Sequence, residues 1–109
     1  MPFIQLTTPS PAPGASPAPA VAGRLAEEFA GALGLPDGAV IVQHVVAETV
    51  TGPGAVAVVR GRPRDAALTR RAVDRAGAVL SEALGVHPDL VLVSWPHPGT
   101  SATGGEPLA

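Results

Sequence analysis

The sequence contains no cysteine, no lysine and no tyrosine, and the first two absences each exclude a class of site. Without cysteine there is neither a disulfide framework nor a thiolate metal centre. Without lysine there is no phosphate-binding loop of the Gly-x-x-x-x-Gly-Lys type. The three histidines are scattered and no carboxylate pattern accompanies them, so the sequence predicts no metal site.

Charged and aromatic residues are scarce, at 15% and 3% of the 109 residues. Nucleic-acid-binding domains are usually basic and rich in stacking rings, whereas this chain has a formal net charge of −2. We therefore expect no nucleic-acid partner. No apolar run reaches the roughly 18 residues of a membrane helix. The opening MPFIQLTTP lacks the basic and apolar regions of a signal peptide. We therefore expect no membrane span and a cytoplasmic location.

Strand-like and helix-like segments alternate regularly along the chain. An apolar residue at every fourth position predicts a first helix, with Ser16 as its N-cap, Pro17 at its first position and Gly34 at its end. A second helix begins within residues 62–65 and is stopped by Gly85. Four short segments rich in β-branched residues predict strands over residues 3–8, 40–46, 55–60 and 90–95. The element order is therefore β-α-β-β-α-β.

The two halves of the sequence match each other at a constant offset. Ala32-Leu33-Gly34 recurs as Ala83-Leu84-Gly85, and Arg24 corresponds to Arg75. We therefore predict an α/β fold in which duplicated β-α-β units form a four-stranded mixed sheet with two helices on one face. The prediction is one domain over residues 1–109, with repeats at about 2–52 and 53–98 and an irregular tail at 99–109.

The strand segments are more apolar than two helices can account for. Two helices cover only one face of a four-stranded sheet, yet VIVQHVV, VAVV and LVLVSW are almost continuous apolar runs. Such runs are typical of strands that are buried on both faces. We therefore predict that the uncovered face packs against further copies of the chain.

Pro2 is the residue with the most distinctive chemistry. Methionine aminopeptidases remove an initiator methionine that precedes proline, so we expect Pro2 to become the N-terminus with a free secondary amine. An α-amino group titrates near about 7.7–8.0, and desolvation or a nearby cation lowers that pKa. An amine that is neutral near pH 7 suits proton abstraction beside a carbonyl.

Two further motifs accompany the Met-Pro start and the strand that follows it. Leu33-Gly34-Leu35-Pro36 precedes Val42-Gln43-His44-Val45-Val46, and Val59-Arg60-Gly61-Arg62 precedes Asp65 and a helix. With the β-α-β repeat, these features resemble the tautomerase superfamily, which includes 4-oxalocrotonate tautomerase, macrophage migration inhibitory factor and cis-3-chloroacrylic acid dehalogenase. The resemblance covers residues 2 to about 98. The two-repeat length is similar to that of the trimeric branches.

The resemblance implies a role for each of four residues. Pro2 would be the general acid or base, in a pocket between the subunits of a homotrimer, and this chemistry needs no cofactor. Arg60 and Arg62 would hold a substrate carboxylate, because a planar guanidinium donates two parallel hydrogen bonds to it. Trp95 would form the apolar wall, with an aromatic anchor at a subunit contact as the alternative that stays open. We interpret His44, inside an apolar strand, as a hydrogen-bonded structural residue.

The sequence departs from the family's pattern at three pocket positions. Leu35 replaces a lysine, Ile41 an arginine, and Ser94 an asparagine or a tyrosine. These changes favour a small monocarboxylate over a dicarboxylate, so the expected function is a tautomerase or isomerase of a small 2-oxo or unsaturated carboxylate. Two alternatives stay open: a Pro2-dependent dehalogenase or hydratase in which Glu106 positions water, and a non-catalytic ferredoxin-like binding module.

Overall fold

Four strands and two helices alternate in the order that the sequence predicts. The computed structural model describes residues 2–10, 16–62, 64–96 and 104. A single 3₁₀ turn, Pro88–Leu90, precedes the last strand. None of the helices in the described part is both long enough and apolar enough to span a membrane. The elements are β1 (Phe3–Thr8), α1 (Ala18–Leu33), β2 (Ile41–Val46), β3 (Ala55–Arg60), α2 (Ala66–Leu84) and β4 (Val91–Ser94).

The strands form one mixed sheet in the order β2-β1-β3-β4. β1 pairs in parallel with β2, β3 pairs in parallel with β4, and the central strands β1 and β3 are antiparallel. Each half of the chain is therefore a β-α-β unit, and the two units meet along the antiparallel pair. This is the architecture predicted from the sequence, while its origin by duplication stays a prediction.

Both helices pack on the same face of the sheet and form the core with it. Alternate residues of a strand face opposite sides, so only half of each strand meets the helices. Residues from the sheet and from both helices are almost completely buried: Ile4, Leu6, Ala57 and Val59 from the sheet, Val21, Leu25 and Phe29 from α1, and Ala72, Ala76 and Leu80 from α2.

The other side of the sheet carries no helix, and we call it the open sheet face. Strand pairing places its residues in rows across the sheet, with Phe3 between Ile41 and Arg60, and Thr7 between Val45 and Val56. Most of its large apolar side chains are exposed. The face consists of Phe3, Gln5, Thr7, Ile41, Gln43, Val45, Val56, Val58, Arg60, Leu92 and Ser94.

The predicted start of the first helix and the predicted length of the last strand were wrong. Pro17 is the N-cap of α1, with no side-chain hydrogen bond, so Ser16 does not cap the helix. The ψ of Pro17 is 151°, an extended value, and the helix therefore begins at the next residue. β4 is shorter than predicted, because Leu90 belongs to the 3₁₀ turn and Trp95 follows the strand.

Two ion pairs join the outer surfaces of α1 and α2. Arg24 lies 3.2 Å from Glu82, and Arg75 pairs with Glu28. The hydrogen bond and the charge of Glu82 raise the pKa of Arg24 above its ordinary value. Arg24 and Arg75, which correspond in the sequence repeat, therefore each bind a glutamate of the other helix.

Asp65 caps α2, and its removal is expected to weaken the fold. One carboxylate oxygen accepts a hydrogen bond from the Leu68 N–H at 2.9 Å. Asp65→Ala is expected to lower the free energy of unfolding by about 1 kcal/mol, measured by urea denaturation. Asp37→Ala, in an exposed turn, is the matched control, with an expected change below about 0.5 kcal/mol. Equal losses in the two variants would contradict the capping role.

Candidate active site

One end of the sheet, where strands begin or finish, brings together chain segments that are far apart in sequence, and we call it the Pro2 edge. The N-terminal ends of β1 and β2 meet the C-terminal ends of β3 and β4 there, because Phe3 pairs with both Ile41 and Arg60. The Pro2 carbonyl oxygen accepts a hydrogen bond from the Ile41 N–H at 3.0 Å. Pro2 is thus held against the start of β2.

Pro2 and Trp95 both lie close to Gly61 at this edge. A Cβ atom added to Gly61 would lie 3.5 Å from the Cα and Cβ atoms of Pro2 and 3.4 Å from Cζ2 of Trp95. The Pro2 side chain is fully buried and Gly61 is buried. A side chain larger than a methyl group at position 61 would therefore displace Pro2 or Trp95.

Trp95 connects this edge to the hydrophobic core. Its ring is half-buried and packs on Phe29, with ring centroids 5.6 Å apart and a tilt of 39°. Phe29 itself is completely buried in α1. The position of the indole beside Pro2 therefore depends on core packing, and the predicted role of Trp95 as an apolar wall stays a prediction.

Arg60 and Arg62 flank Gly61, on either side of its contact with Pro2. Arg60 is the last residue of β3 and lies on the open sheet face, whereas strand alternation places the Pro2 ring on the helix side. Arg62 is exposed. A groove of about 140 Å³ on the open face begins at this edge and is lined by Phe3, Gln5, Ile41, Gln43, Val58 and Arg60.

His44 lies at the opposite edge of the sheet and is hydrogen-bonded within the fold. Its Nδ1 is 3.3 Å from the carbonyl oxygen of Ala18, and its Nε2 is 2.9 Å from Oγ1 of Thr8. A carbonyl only accepts, so Nδ1 carries the proton in the neutral ring and Nε2 accepts from the Thr8 hydroxyl. This agrees with the structural interpretation of His44 and not with a catalytic one.

Glu106, which would position water in the dehalogenase alternative, lies outside the described residues. Among the residues that the structure describes, no group of three or more His, Asp or Glu side chains could hold a metal ion. Sequence reasoning missed the contact of Gly61 with Pro2, although a glycine after a strand often marks a close approach of another chain segment.

Comparisons with known proteins place this architecture among solved structures. No family model and no curated protein matches the sequence. A fused 4-OT, solved as an asymmetric trimer, superimposes with a TM-score of 0.75 at 16% identity, over 97% of this chain and 95% of its own.

Two further solved structures superimpose on this chain in the same way. Pt0534, solved after inactivation by 2-oxo-3-pentynoate, has a TM-score of 0.73 at 13% identity, with 98% and 95% covered. A macrophage migration inhibitory factor-like protein from Entamoeba histolytica has a TM-score of 0.70 at 12% identity, with 94% of each chain covered. Likeness at such low identity shows the fold alone, and the chain therefore has the same α/β fold as these 4-OT and macrophage migration inhibitory factor-like structures.

Proposed function

We propose that this protein is a cofactor-independent tautomerase or isomerase of a small 2-oxo or unsaturated carboxylate. The observation that carries the proposal is the position of Pro2, which is held against the start of β2 and lies close to Gly61, between Arg60 and Arg62. The inactivation of Pt0534 by 2-oxo-3-pentynoate, a small unsaturated 2-oxo acid, supports the substrate class.

Pro2 moves the proton in the proposed reaction. Once Met1 is removed, the free amine takes a proton from the carbon beside the substrate carbonyl. The C–H bond breaks, an N–H bond forms, and the electron pair shifts to the carbonyl oxygen as an enolate. The protonated amine then returns the proton to oxygen or to another carbon, so that no group is gained or lost. In the ketonisation of an enol the same steps run in reverse.

Arg60 and Arg62 bind and polarise the substrate in this proposal. Their guanidinium groups donate hydrogen bonds to the carboxylate and stabilise the negative charge that develops on the enolate oxygen. Two cations at this edge also favour the neutral form of the Pro2 amine. Trp95 packs against the apolar part of the substrate.

The proposed assembly is a homotrimer that covers the open sheet face. Large apolar side chains on this face, Leu92 and Val45 among them, are exposed in the single chain, and contiguous exposed apolar surface of this kind is typical of interfaces. Two fused 4-OT structures were solved as trimers, which supports this arrangement. A second copy packed on this face would also enclose the groove beside Arg60.

Intact mass and an enol assay together test the proposal. We expect the purified protein to have lost Met1, and to accelerate the enol–keto conversion of phenylpyruvate, followed by ultraviolet absorbance. A retained Met1, or no acceleration above buffer with several enols, would reject the proposal. Chloride release from a 3-chloroacrylate without enol activity would also reject it and favour the dehalogenase instead.

Arg60→Gln is expected to weaken substrate binding. Loss of a charge-assisted hydrogen bond costs about 1.5–3 kcal/mol, which corresponds to a fall of about 10- to 150-fold in kcat/KM for phenylpyruvate. Arg71→Gln removes the same charge from the exposed surface of α2 and is expected to change kcat/KM by less than about twofold. Similar effects of the two substitutions on steady-state kinetics would contradict carboxylate binding by Arg60.

A further inference from the structure

A second cleft lies on the helix side of the sheet, between the first turns of α2 and the edge strand β4. Its volume is about 480 Å³, within the range of pockets that bind small molecules. The lining combines polar side chains, Arg64, Thr69 and Arg70, with apolar ones, Val73, Val93 and Trp95.

The polar part of the lining has an excess of positive charge. Arg70 is paired with Asp74 at 3.0 Å on the helix surface. Arg64 is half-buried, and no ion pair of Arg64 occurs among the described residues. The neighbouring carboxylate of Asp65 is engaged by the Leu68 N–H. Arg64 is therefore the cation at which a bound anion would place its charge, with Thr69 as a further hydrogen-bond donor.

The apolar part of the lining suits a compact hydrocarbon group. Val93 points to the helix side of β4 by strand alternation, and its pair partner Ala57 lies in the buried core. The Trp95 ring supplies an aromatic wall, and its packing against Phe29 holds the ring in place. A bare phosphate or sulfate would leave these apolar side chains without contacts, so the lining favours an organic anion.

We propose that this cleft is a binding site for small organic monocarboxylates with an aromatic or branched apolar group. The carboxylate binds Arg64 and Thr69, and the apolar group packs between Val73 and Trp95. The cleft lies on the opposite side of the sheet from the open face, so the proposed homotrimer leaves that side of the sheet uncovered. Binding here does not require Pro2 to act as a base, and it is separate from the groove beside Arg60.

Intrinsic fluorescence gives a direct measurement, because Trp95 is the single tryptophan and the chain has no tyrosine. Phenylacetate is the probe, and phenylacetamide is its neutral analogue. We expect a saturable change in Trp95 emission with phenylacetate. The affinity for phenylacetamide is expected to be lower by at least about tenfold, because the charge-assisted hydrogen bonds are lost. Amide NMR shifts of Thr69 and Val93 locate the bound probe.

Three arginine variants separate this cleft from the Pro2 edge. Arg64→Gln is expected to weaken phenylacetate by about tenfold or more, whereas Arg71→Gln leaves its affinity unchanged. Loss of binding in Arg60→Gln with full binding in Arg64→Gln would place the probe at the Pro2 edge and overturn the inference. The absence of saturable binding, or equal binding of phenylacetamide, would overturn it as well.

Discussion

Pro2→Ala is expected to lower kcat/KM for phenylpyruvate by about 10²- to 10⁴-fold, the contribution usual for a positioned general acid or base. The proline ring fixes the amine by its covalent geometry, and the close approach of Gly61 and the burial of the ring hold it in place. Alanine also allows removal of Met1, so the variant keeps an N-terminal amine. Its primary amine sits on a freely rotating bond and lacks the contacts of the ring, so the base is no longer held in place.

The control for this prediction is a second proline substitution, Pro36→Ala. Pro36 is exposed in the turn after α1, and its replacement is expected to leave kcat/KM within about twofold of the wild type. The emission of Trp95 and the urea midpoint show whether each variant keeps the native packing. Full activity of a folded Pro2→Ala protein would refute the proline mechanism, whereas an unfolded variant directs the test to Pro2→Gly, which is subject to the same criterion.

The element order and the helix ends could be predicted because local chemistry decides them. Gly34 and Gly85 end the helices with positive φ values of 71° and 67°, a conformation that glycine adopts without strain. The start of α1 could not be placed to the residue, because the segment before it is rich in proline and serine and offers several possible caps. Ser16 was the wrong choice among them.

The residues of the candidate site were easier to predict from the sequence than their relative positions. The β-α-β-β-α-β order with parallel outer pairs brings Pro2, Arg60 and Trp95 to one edge of the sheet. The face on which each side chain lies depends on strand register, and a shift by one residue reverses every face. The position of Arg60 on the open face, with the Pro2 ring on the other, therefore required the structure.

Leu92→Lys is expected to dissociate the proposed homotrimer. Leu92 is 62% exposed in the single chain and pairs with Val56, another exposed apolar residue of the open sheet face. An unpaired charge that is buried at an interface costs several kcal/mol, and the substitution occurs once in every copy. Sedimentation velocity at micromolar concentration is expected to show a trimer for the wild type and a monomer for the variant.

Val50→Lys is the matched control for this substitution. Val50 is similarly exposed but lies in the connection between β2 and β3, so its replacement is expected to leave the assembly intact. A wild-type monomer, or a Leu92→Lys trimer, would contradict the packing of copies on the open face. Because Arg60 lies on that face beside the groove, a dissociated Leu92→Lys protein should also lose activity per chain. Full activity in the monomer would mean that Pro2 and its arginines form a complete site within one chain.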